Sequence, residues 1–216
     1  MSFLSVEDTV SNQLAQGLLK IGAVELRPNN PFTWSSGWKS PIYCDNRLTL
    51  SYPVLRSLIS GGLKEAIQNN FPQAEVLAGT ATAGIPHAAF VAQELSLPMA
   101  YVRSSAKSHG KGKRIEGLIR AGSQVLVIED TISTGSSAFD AAQALRDHGA
   151  KVVGVAAIFS YDFDTAVSRA RELDIPVLRL LGYPQLIQSA IEMGYISQAD
   201  EQRLLSWRNS PETFGV

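Results

Sequence analysis

The fold of this chain is decided by the stretch Val125-Leu126-Val127-Ile128-Glu129-Asp130-Thr131-Ile132-Ser133-Thr134-Gly135-Ser136-Ser137. Its first four residues are apolar and mostly β-branched, which is typical of a strand buried on both faces. Two adjacent carboxylates follow, and we expect burial to stop there, at the strand's carboxyl end. A loop rich in hydroxyl groups then leads into a helical pattern that begins near Ser136 and ends at Gly149. The stretch predicts a strand–loop–helix unit with acids at its turn.

This turn has the chemistry to bind a phosphorylated sugar. The start of a helix presents unpaired N–H groups and a positive dipole end, which together with hydroxyl groups suit a phosphate monoester. Glu129 and Asp130 repel phosphate, but they can accept hydrogen bonds from ribose hydroxyls or hold Mg²⁺. The alternative is an ordinary strand-to-helix turn with Ser136 as the helix N-cap.

Composition limits the class of protein. The 216 residues, 45% hydrophobic and 18% charged, suit one large domain. The single cysteine, Cys44, excludes an internal disulfide framework and favours a reducing, cytoplasmic compartment. A net charge of −1 argues against a nucleic-acid partner. Residues 1–10 lack a leader pattern and no apolar run is long enough to span a bilayer, so we expect no membrane partner.

Strands and helices alternate after Pro72. This alternation predicts an α/β fold, a central mainly parallel sheet flanked by helices, with ligands at the carboxyl ends of its strands. We expect a single domain over residues 1–216, with a small N-terminal hood at 1–50, a core sheet region at 71–182 and C-terminal helices at 184–210. Ser5 and Asp8 resemble a capping box for a first helix that runs to Gly22. The expected strands are Val76–Ala78, Met99–Arg103, Val125–Asp130, Val152–Phe159 and Val177–Leu181, and the expected helices between them are Ile85–Leu97, Ser137–His148 and Phe163–Leu173.

A glycine-containing loop, 79–84, follows the first of these strands. It is not a nucleotide-binding P-loop, because Ile85-Pro86 stands where Lys-Ser or Lys-Thr is required. The loop can line up backbone N–H groups for a pyrophosphate, or it can be only a tight strand-to-helix turn.

A strongly basic loop spans 103–114, with five cations and one histidine. It lies between two strands of the predicted sheet, so it can reach the ligand edge and close over a diphosphate. The alternative is a solvated basic loop or a nucleic-acid patch. We expect His109 to be functional and His87 and His148 to be ordinary surface or helix-end residues. No histidine pair has metal-ligand spacing, so we expect no protein-bound transition metal.

The central stretch resembles the phosphoribosyl-pyrophosphate (PRPP) signature of the type I phosphoribosyltransferases. Shorter matches, in order, resemble the orotate phosphoribosyltransferase family over approximately residues 5–205. The resemblance implies transfer of the 5-phosphoribosyl group from PRPP to orotate, giving orotidine 5′-monophosphate and pyrophosphate in pyrimidine biosynthesis. It also implies Mg²⁺ bound mainly through the substrate diphosphate, and a homodimer with a shared active site. These shorter matches are 32–37, 40–43, 84–86 and 103–110.

The same resemblance implies roles for particular residues. Catalysis is expected from Lys107, His109, Glu129 and Asp130. PRPP binding is expected from these four residues together with Arg103, Thr131, Ile132, Ser133, Thr134, Gly135, Ser136 and Ser137. We expect orotate to lie against Ser133, Tyr43 and Arg47.

The chain departs from the pattern of many family members at four positions. Lysine is frequent where Ser35, Ala83 and Ser104 stand, and an arginine often assigned to orotate is replaced by Tyr161. Our hypothesis is that Arg47 or Lys39 contacts the orotate carboxylate instead. Lys111 or Lys113 would supplement the basic loop.

Two alternatives remain open from the sequence. One keeps PRPP as the donor and uses a purine or another base as the acceptor. The other is a non-catalytic regulatory protein that binds PRPP.

Overall fold

The computed structural model describes residues 3–33, 39–105 and 114–211. These residues form one seven-stranded sheet, two small two-stranded sheets and seven α-helices. The strands are β1 (Leu4–Ser5), β2 (Val24–Leu26), β3 (Phe32–Thr33), β4 (Lys39–Ser40), β5 (Ile42–Cys44), β6 (Val76–Thr80), β7 (Met99–Val102), β8 (Ile115–Glu116), β9 (Gln124–Ile132), β10 (Lys151–Ser160) and β11 (Val177–Gly182). The helices are α1 (Asp8–Lys20), α2 (Pro53–Asn70), α3 (Gly84–Leu95), α4 (Ser136–Asp147), α5 (Asp164–Glu172), α6 (Tyr183–Glu192) and α7 (Gln198–Asn209), and a 3₁₀ helix spans Asn46–Ser51.

The large sheet has the strand order β1-β11-β10-β9-β6-β7-β8. Its neighbouring strands are parallel except for β8, which runs antiparallel to β7. Because the chain alternates strand and helix, the carboxyl ends of the parallel strands meet at one edge. The predicted α/β fold with a mainly parallel sheet is confirmed.

Helices cover both faces of this sheet, and β9 contributes to both cores. Leu126 and Ile128 pack in the core that includes α1, α2, α3 and α6. Val125 and Val127 pack in the opposite core with α4 and α5. All four residues are fully buried, as expected for a central parallel strand.

Burial along β9 does not stop where the sequence indicated. The strand continues to Ile132, and Glu129 pairs with Ala157 of β10 in the ladder. Glu129 is only 4% exposed, whereas Asp130 is half-buried. The prediction that burial ends at the acidic pair is therefore wrong for its first member, because β10 pairs with β9 past this position and Thr80 at the end of β6 contacts the Glu129 carboxylate.

The N-terminal segment divides between the sheet and the hood. Ser5 is not a helix cap: it lies in β1 opposite Arg179, and α1 begins at Asp8 after Glu7, without a side-chain cap. Residues 24–33 and 39–51 form the hood, which contains two antiparallel strand pairs, β2–β5 and β3–β4. In the part of the chain that the structure describes, no helix combines the length and the apolar character needed to cross a membrane.

Candidate active site

Glu129 lies at the edge of the sheet where the carboxyl ends of the strands meet. Among the described residues, one of its carboxylate oxygens accepts hydrogen bonds and the other does not. Its Oε1 accepts hydrogen bonds from the Thr80 hydroxyl at 2.6 Å and from the Asp130 N–H at 3.1 Å. Oε2 is buried and accepts no hydrogen bond from the described residues. Burial, and then the negative charge of Asp130, raise the pKa of Glu129 to about 8, against the opposing hydrogen bond from Thr80. The side chain can therefore exchange a proton near neutral pH and offers a buried acceptor to a hydroxyl or a cation.

Asn46 fastens the hood to this acidic turn. It is fully buried, and its Nδ2 donates to the Asp130 carbonyl and to Thr131 Oγ1, both at 2.9 Å. The Thr131 hydroxyl also donates to Asp130 Oδ2 at 3.2 Å. Asn46 is not among the residues predicted from the sequence, because nothing in its neighbourhood along the chain shows that it meets residues more than eighty positions away.

The loop Ser133–Gly135 joins β9 to α4 and has the shape of a phosphate cradle. Gly135 is the N-cap of α4 with φ +77°, and a Cβ at this position would collide with the ring of Phe139. Because α4 has no side-chain cap, the alternative in which Ser136 caps the helix is wrong. The first N–H groups of the helix have no carbonyl partner within it. They and the hydroxyls of Thr134 and Ser136, which lie 3.2 Å apart, are available to an anion.

Arg169 of α5 adds a cation beside the cradle. Its Nη1 donates to Ser136 Oγ at 3.2 Å, and its Nη2 pairs with Asp140 at 2.7 Å. Arg169 could not be predicted from the sequence, because only the packing of α5 beside α4 brings it to the loop. It orients the Ser136 hydroxyl.

The loop between β6 and α3 packs tightly against β9. A Cβ on Gly84 would collide with the Thr80 hydroxyl and the Ile128 carbonyl, and a Cβ on Gly79 would lie 2.9 Å from the Gly84 oxygen. The peptide bond from Ala81 to the next residue is cis. The tight turn is sufficient to account for both glycines, so pyrophosphate binding by this loop stays a prediction.

The three histidines differ in setting. His87 lies in the first turn of α3, at a helix end as expected, but it is only 2% exposed, so the expectation of a surface position is wrong. Burial lowers its pKa to about 4, and the charge of Asp130 acts in the opposite direction. His148 follows the last turn of α4, with its Nε2 3.3 Å from the Ile119 carbonyl, as expected for a helix-end residue. His109 lies outside the described residues.

The hood presents an aromatic and cationic surface. Tyr43 is 43% exposed, and its ring centroid lies 5.7 Å from that of Phe32. Arg47 makes a bidentate contact with Asp45 at 2.6 and 2.8 Å. Asp45 raises the pKa of Arg47, with smaller contributions from Tyr43 and Asp130, so the guanidinium is within electrostatic range of the acidic turn. Lys39 donates to the Thr33 hydroxyl at 2.7 Å.

Tyr161 occupies a different environment from that of a ligand-binding cation. Its N–H donates to the Ile132 carbonyl at 2.9 Å, which places its backbone beside the cradle. Its ring is 5% exposed and stacks on Phe163, with centroids 5.3 Å apart. The side chain therefore belongs to an aromatic cluster behind the hood.

The described ends of the basic loop lie close together. Arg103 Nη1 is 3.6 Å from Glu116 Oε1, and Arg114 Nε donates to the Arg103 carbonyl at 3.1 Å. Lys107, His109, Lys111 and Lys113 lie outside the described residues, as does Ser35 in the hood. Of the predicted site residues, the turn from Glu129 to Ser137 is continuous at the end of β9, Arg47 lies within electrostatic range of Asp130, and Arg103 follows a strand two positions away in the sheet.

This edge of a parallel sheet, with an acidic pair followed by a hydroxyl-rich cradle, is typical of phosphoribosyltransferases. Residues 51–180 match the family model for the phosphoribosyl transferase domain.

A relative from Bacillus caldolyticus, named orotate phosphoribosyltransferase, is 53% identical over 206 residues, which are 95% of this chain and 100% of the relative. The chain belongs to the orotate phosphoribosyltransferase family.

Two solved structures share the fold. Orotate phosphoribosyltransferase from Aeropyrum pernix superposes with a TM-score of 0.74 and 28% identity, over 85% of this chain and 99% of that chain. The Mycobacterium tuberculosis H37Rv enzyme in complex with PRPP superposes with a TM-score of 0.63 and 26% identity, over 82% of this chain and 98% of that chain.

Proposed function

We propose that this chain transfers the 5-phosphoribosyl group from PRPP to a ring nitrogen of orotate, releasing pyrophosphate and forming orotidine 5′-monophosphate. The observation that carries the proposal is the buried, unpartnered Oε2 of Glu129 immediately before the cradle at the end of β9. The 53% identical relative supports orotate, rather than a purine, as the acceptor, and supports an enzyme over a regulatory protein.

The acidic pair acts on the ribose. Such a transfer develops positive charge on the sugar and negative charge on the departing diphosphate. Glu129 and Asp130 accept hydrogen bonds from the ribose hydroxyls and favour the cationic sugar. Burial raises the pKa of Glu129 to about 8, so binding of a hydroxyl donor or a cation by this carboxyl group favours release of its proton to solvent. The hydroxyls and amides from Thr131 to Ser137 bind the 5′-phosphate.

The acidic turn also fits Mg²⁺. Carboxylate oxygens are the ligands this ion prefers, and the turn supplies Glu129 Oε2 and the half-buried Asp130 carboxylate. Since Mg²⁺ takes six ligands, most of them would come from the substrate diphosphate and water. When bound there, Mg²⁺ would supply positive charge against the developing charge of the diphosphate. Within the described residues, no group of three or more His, Cys, Asp or Glu side chains could hold a metal ion.

The basic loop acts on the diphosphate. Arg103, Lys107 and His109 neutralise its developing charge, and Lys111 or Lys113 adds to the local field. We place the protein in the cytoplasm as a homodimer in which each loop serves the partner's site. Mixing a Lys107→Ala protein with an Asp130→Asn protein tests this, because subunit exchange regenerates competent sites if loops are shared. Absence of recovery despite proven exchange would mean that the loop acts within its own subunit.

Orotate lies against Ser133, Tyr43 and Arg47. The bidentate contact with Asp45 satisfies part of the Arg47 guanidinium, and the remaining donor groups are free to meet the orotate carboxylate. Arg47→Ala should raise the KM for orotate and leave that for PRPP unchanged. An unchanged orotate KM would reject Arg47 and make Lys39 the next residue to replace.

The function is tested by the loss of orotate absorbance when the protein is mixed with PRPP and Mg²⁺. Adenine, guanine, hypoxanthine and uracil serve as competing acceptors, and Asp130→Asn serves as the site control. Consumption of orotate alone, abolished by EDTA and by Asp130→Asn, is the expected result. Binding of PRPP without turnover of any base would support the regulatory alternative instead.

A further inference from the structure

The hood also contacts the C-terminal helix α7, at residues other than the one that meets the acidic turn. The indole Nε1 of Trp207 donates to the Lys39 carbonyl in β4 at 3.2 Å. At the beginning of the hood, Asn29 donates to Asp200 Oδ1 at 3.5 Å and accepts from Arg203 Nη1 at 3.3 Å. Three residues of α7, spaced along its length, therefore contact both ends of the segment from 29 to 39.

Helix α7 is a rigid support for these contacts. Its first turn is closed by a capping box between Ser197 and Asp200. Trp207 is 1% exposed, and its ring packs against Phe163 and Tyr183 with centroids 5.5 and 5.6 Å away. The Tyr183 hydroxyl donates to the carbonyl of Leu204 in α7 at 3.1 Å. Because Phe163 follows β10 and Tyr183 follows β11, these ring contacts fix the helix to the sheet with or without the Tyr183 hydroxyl.

The Lys39 backbone is coupled to the acceptor side of the hood. β4 pairs with β3, so that Ser40 lies opposite Phe32 and Lys39 opposite Thr33. Phe32 in turn contacts Tyr43, with ring centroids 5.7 Å apart. A shift of β4 therefore displaces the aromatic surface on which the acceptor is proposed to lie.

The cradle proposed to bind PRPP is held in place by contacts of its own. The cradle is fixed by the β9–β10 ladder, by Gly135 at the N-cap of α4, and by the contact of Arg169 with Ser136. None of these three supports involves α7. A loss of support from α7 should thus affect the acceptor and spare PRPP.

We propose that α7 sets the position of the acceptor hood and that Trp207, through the Lys39 carbonyl, is a positioning residue for orotate. The inference rests on the proposed function, in which the hood receives the base. It assigns to the C-terminal helix a role in acceptor affinity, although α7 is not part of the acidic turn or of the cradle.

The principal test is Trp207→Phe, which keeps an aromatic ring and removes the N–H donor. Tyr183→Phe is the matched control, because it removes one donor from the same aromatic cluster, but its hydrogen bond ends within α7. We expect Trp207→Phe to raise the KM for orotate about fivefold with little change in kcat or in the KM for PRPP. The control should lower the unfolding temperature comparably and leave both KM values near wild type.

A second variant, Asn29→Ala, tests the other end of the segment without risk to the core, since Asn29 is exposed. It should raise the orotate KM about twofold, and combined with Trp207→Phe about tenfold. Gln202→Ala, at an exposed position of α7, should change neither KM.

The outcomes separate the two proposals. A wild-type protein that does not consume orotate overturns the proposed function itself. If the wild type is active, equal changes in both KM values, or equal effects of Trp207→Phe and Tyr183→Phe on orotate, would show that α7 contributes only to stability and overturn the inference.

Discussion

The contact of Asn46 with the acidic turn yields a quantitative prediction. Asn46→Ala removes two hydrogen bonds of 2.9 Å from a fully buried position. At about 1 kcal/mol each, the free energy of unfolding should fall by about 2 kcal/mol. For a chain of this size, that loss corresponds to a fall of about 4–8 °C in unfolding temperature. Because the contact joins the hood to the turn, the KM values for both orotate and PRPP should rise.

Asn46→Asp distinguishes the hydrogen bonds donated by the Asn46 amide from the packing of a side chain of this volume. The two side chains have nearly the same volume, but a carboxylate faces the Asp130 carbonyl with no proton to donate. We therefore expect this variant to be less stable than Asn46→Ala at neutral pH, and to recover in part at low pH as the new carboxyl group takes up a proton. Asn70→Ala, which removes one hydrogen bond to the Ala66 carbonyl at the end of α2, is a surface control and should cost less than about 1 kcal/mol.

Urea unfolding of the three variants and the wild type, followed by steady-state kinetics, measures these effects. The reasoning would be refuted if Asn46→Asp unfolded at the wild-type urea concentration while Asn46→Ala did not. That result would mean that Asn46 fills space and that its donor groups are unimportant.

Three further predictions follow from the structure. The pKa of Glu129 is about 8 in the folded chain and 4.5 in the unfolded chain, so the folded state keeps this proton up to a higher pH. The free energy of unfolding should therefore fall as pH rises from about 4.5 to 8. If urea unfolding gave the same stability difference between wild type and Glu129→Gln throughout this range, the raised pKa of Glu129 would be contradicted. Gly135→Ala should raise the KM for PRPP and lower the free energy of unfolding by more than about 1 kcal/mol, because φ is +77° at this position. Gly61→Ala, which adds a methyl group in open space within α2, should instead raise the free energy of unfolding by about 0.5–1 kcal/mol. Equal effects of the two substitutions in thermal unfolding would show that the positive φ of Gly135 is not what makes it intolerant of a side chain. Arg179→Ala should cost about 3 kcal/mol in urea unfolding, because it leaves the Asp162 carboxylate, 12% exposed and 2.8 Å from Arg179 Nε, without its ionic partner; a loss below about 1 kcal/mol would show that water solvates this carboxylate.

The part of the site proposed to bind PRPP could be predicted because its residues follow one another along the chain. The alternation of apolar residues and the positions of Gly and Pro indicated the strands and helices of the sheet, and β9 with its loop carries the acids, hydroxyls and glycine in one continuous stretch. Even here the burial of Glu129 was missed, because it depends on how far β10 extends beside β9. The position of Arg169 was missed for a similar reason, since it depends on the packing of two helices.

The part of the site proposed to bind orotate could not be predicted in the same way, because the residues that interact there lie far apart along the chain. Asn46 reaches a turn 84 positions away, and Trp207 reaches a carbonyl 168 positions away. No periodicity or motif marks such pairs, since each partner is an ordinary residue in its own segment. Apart from substitutions at Asn46, which contacts the acidic turn directly, changes in the hood should therefore leave the affinity for PRPP near wild type, whereas the acceptor surface should respond to substitutions at both ends of the chain. A change of acceptor would then require changes in the hood and in α7 together, because replacing Tyr43 or Arg47 alone leaves the backbone of β4 where Trp207 holds it.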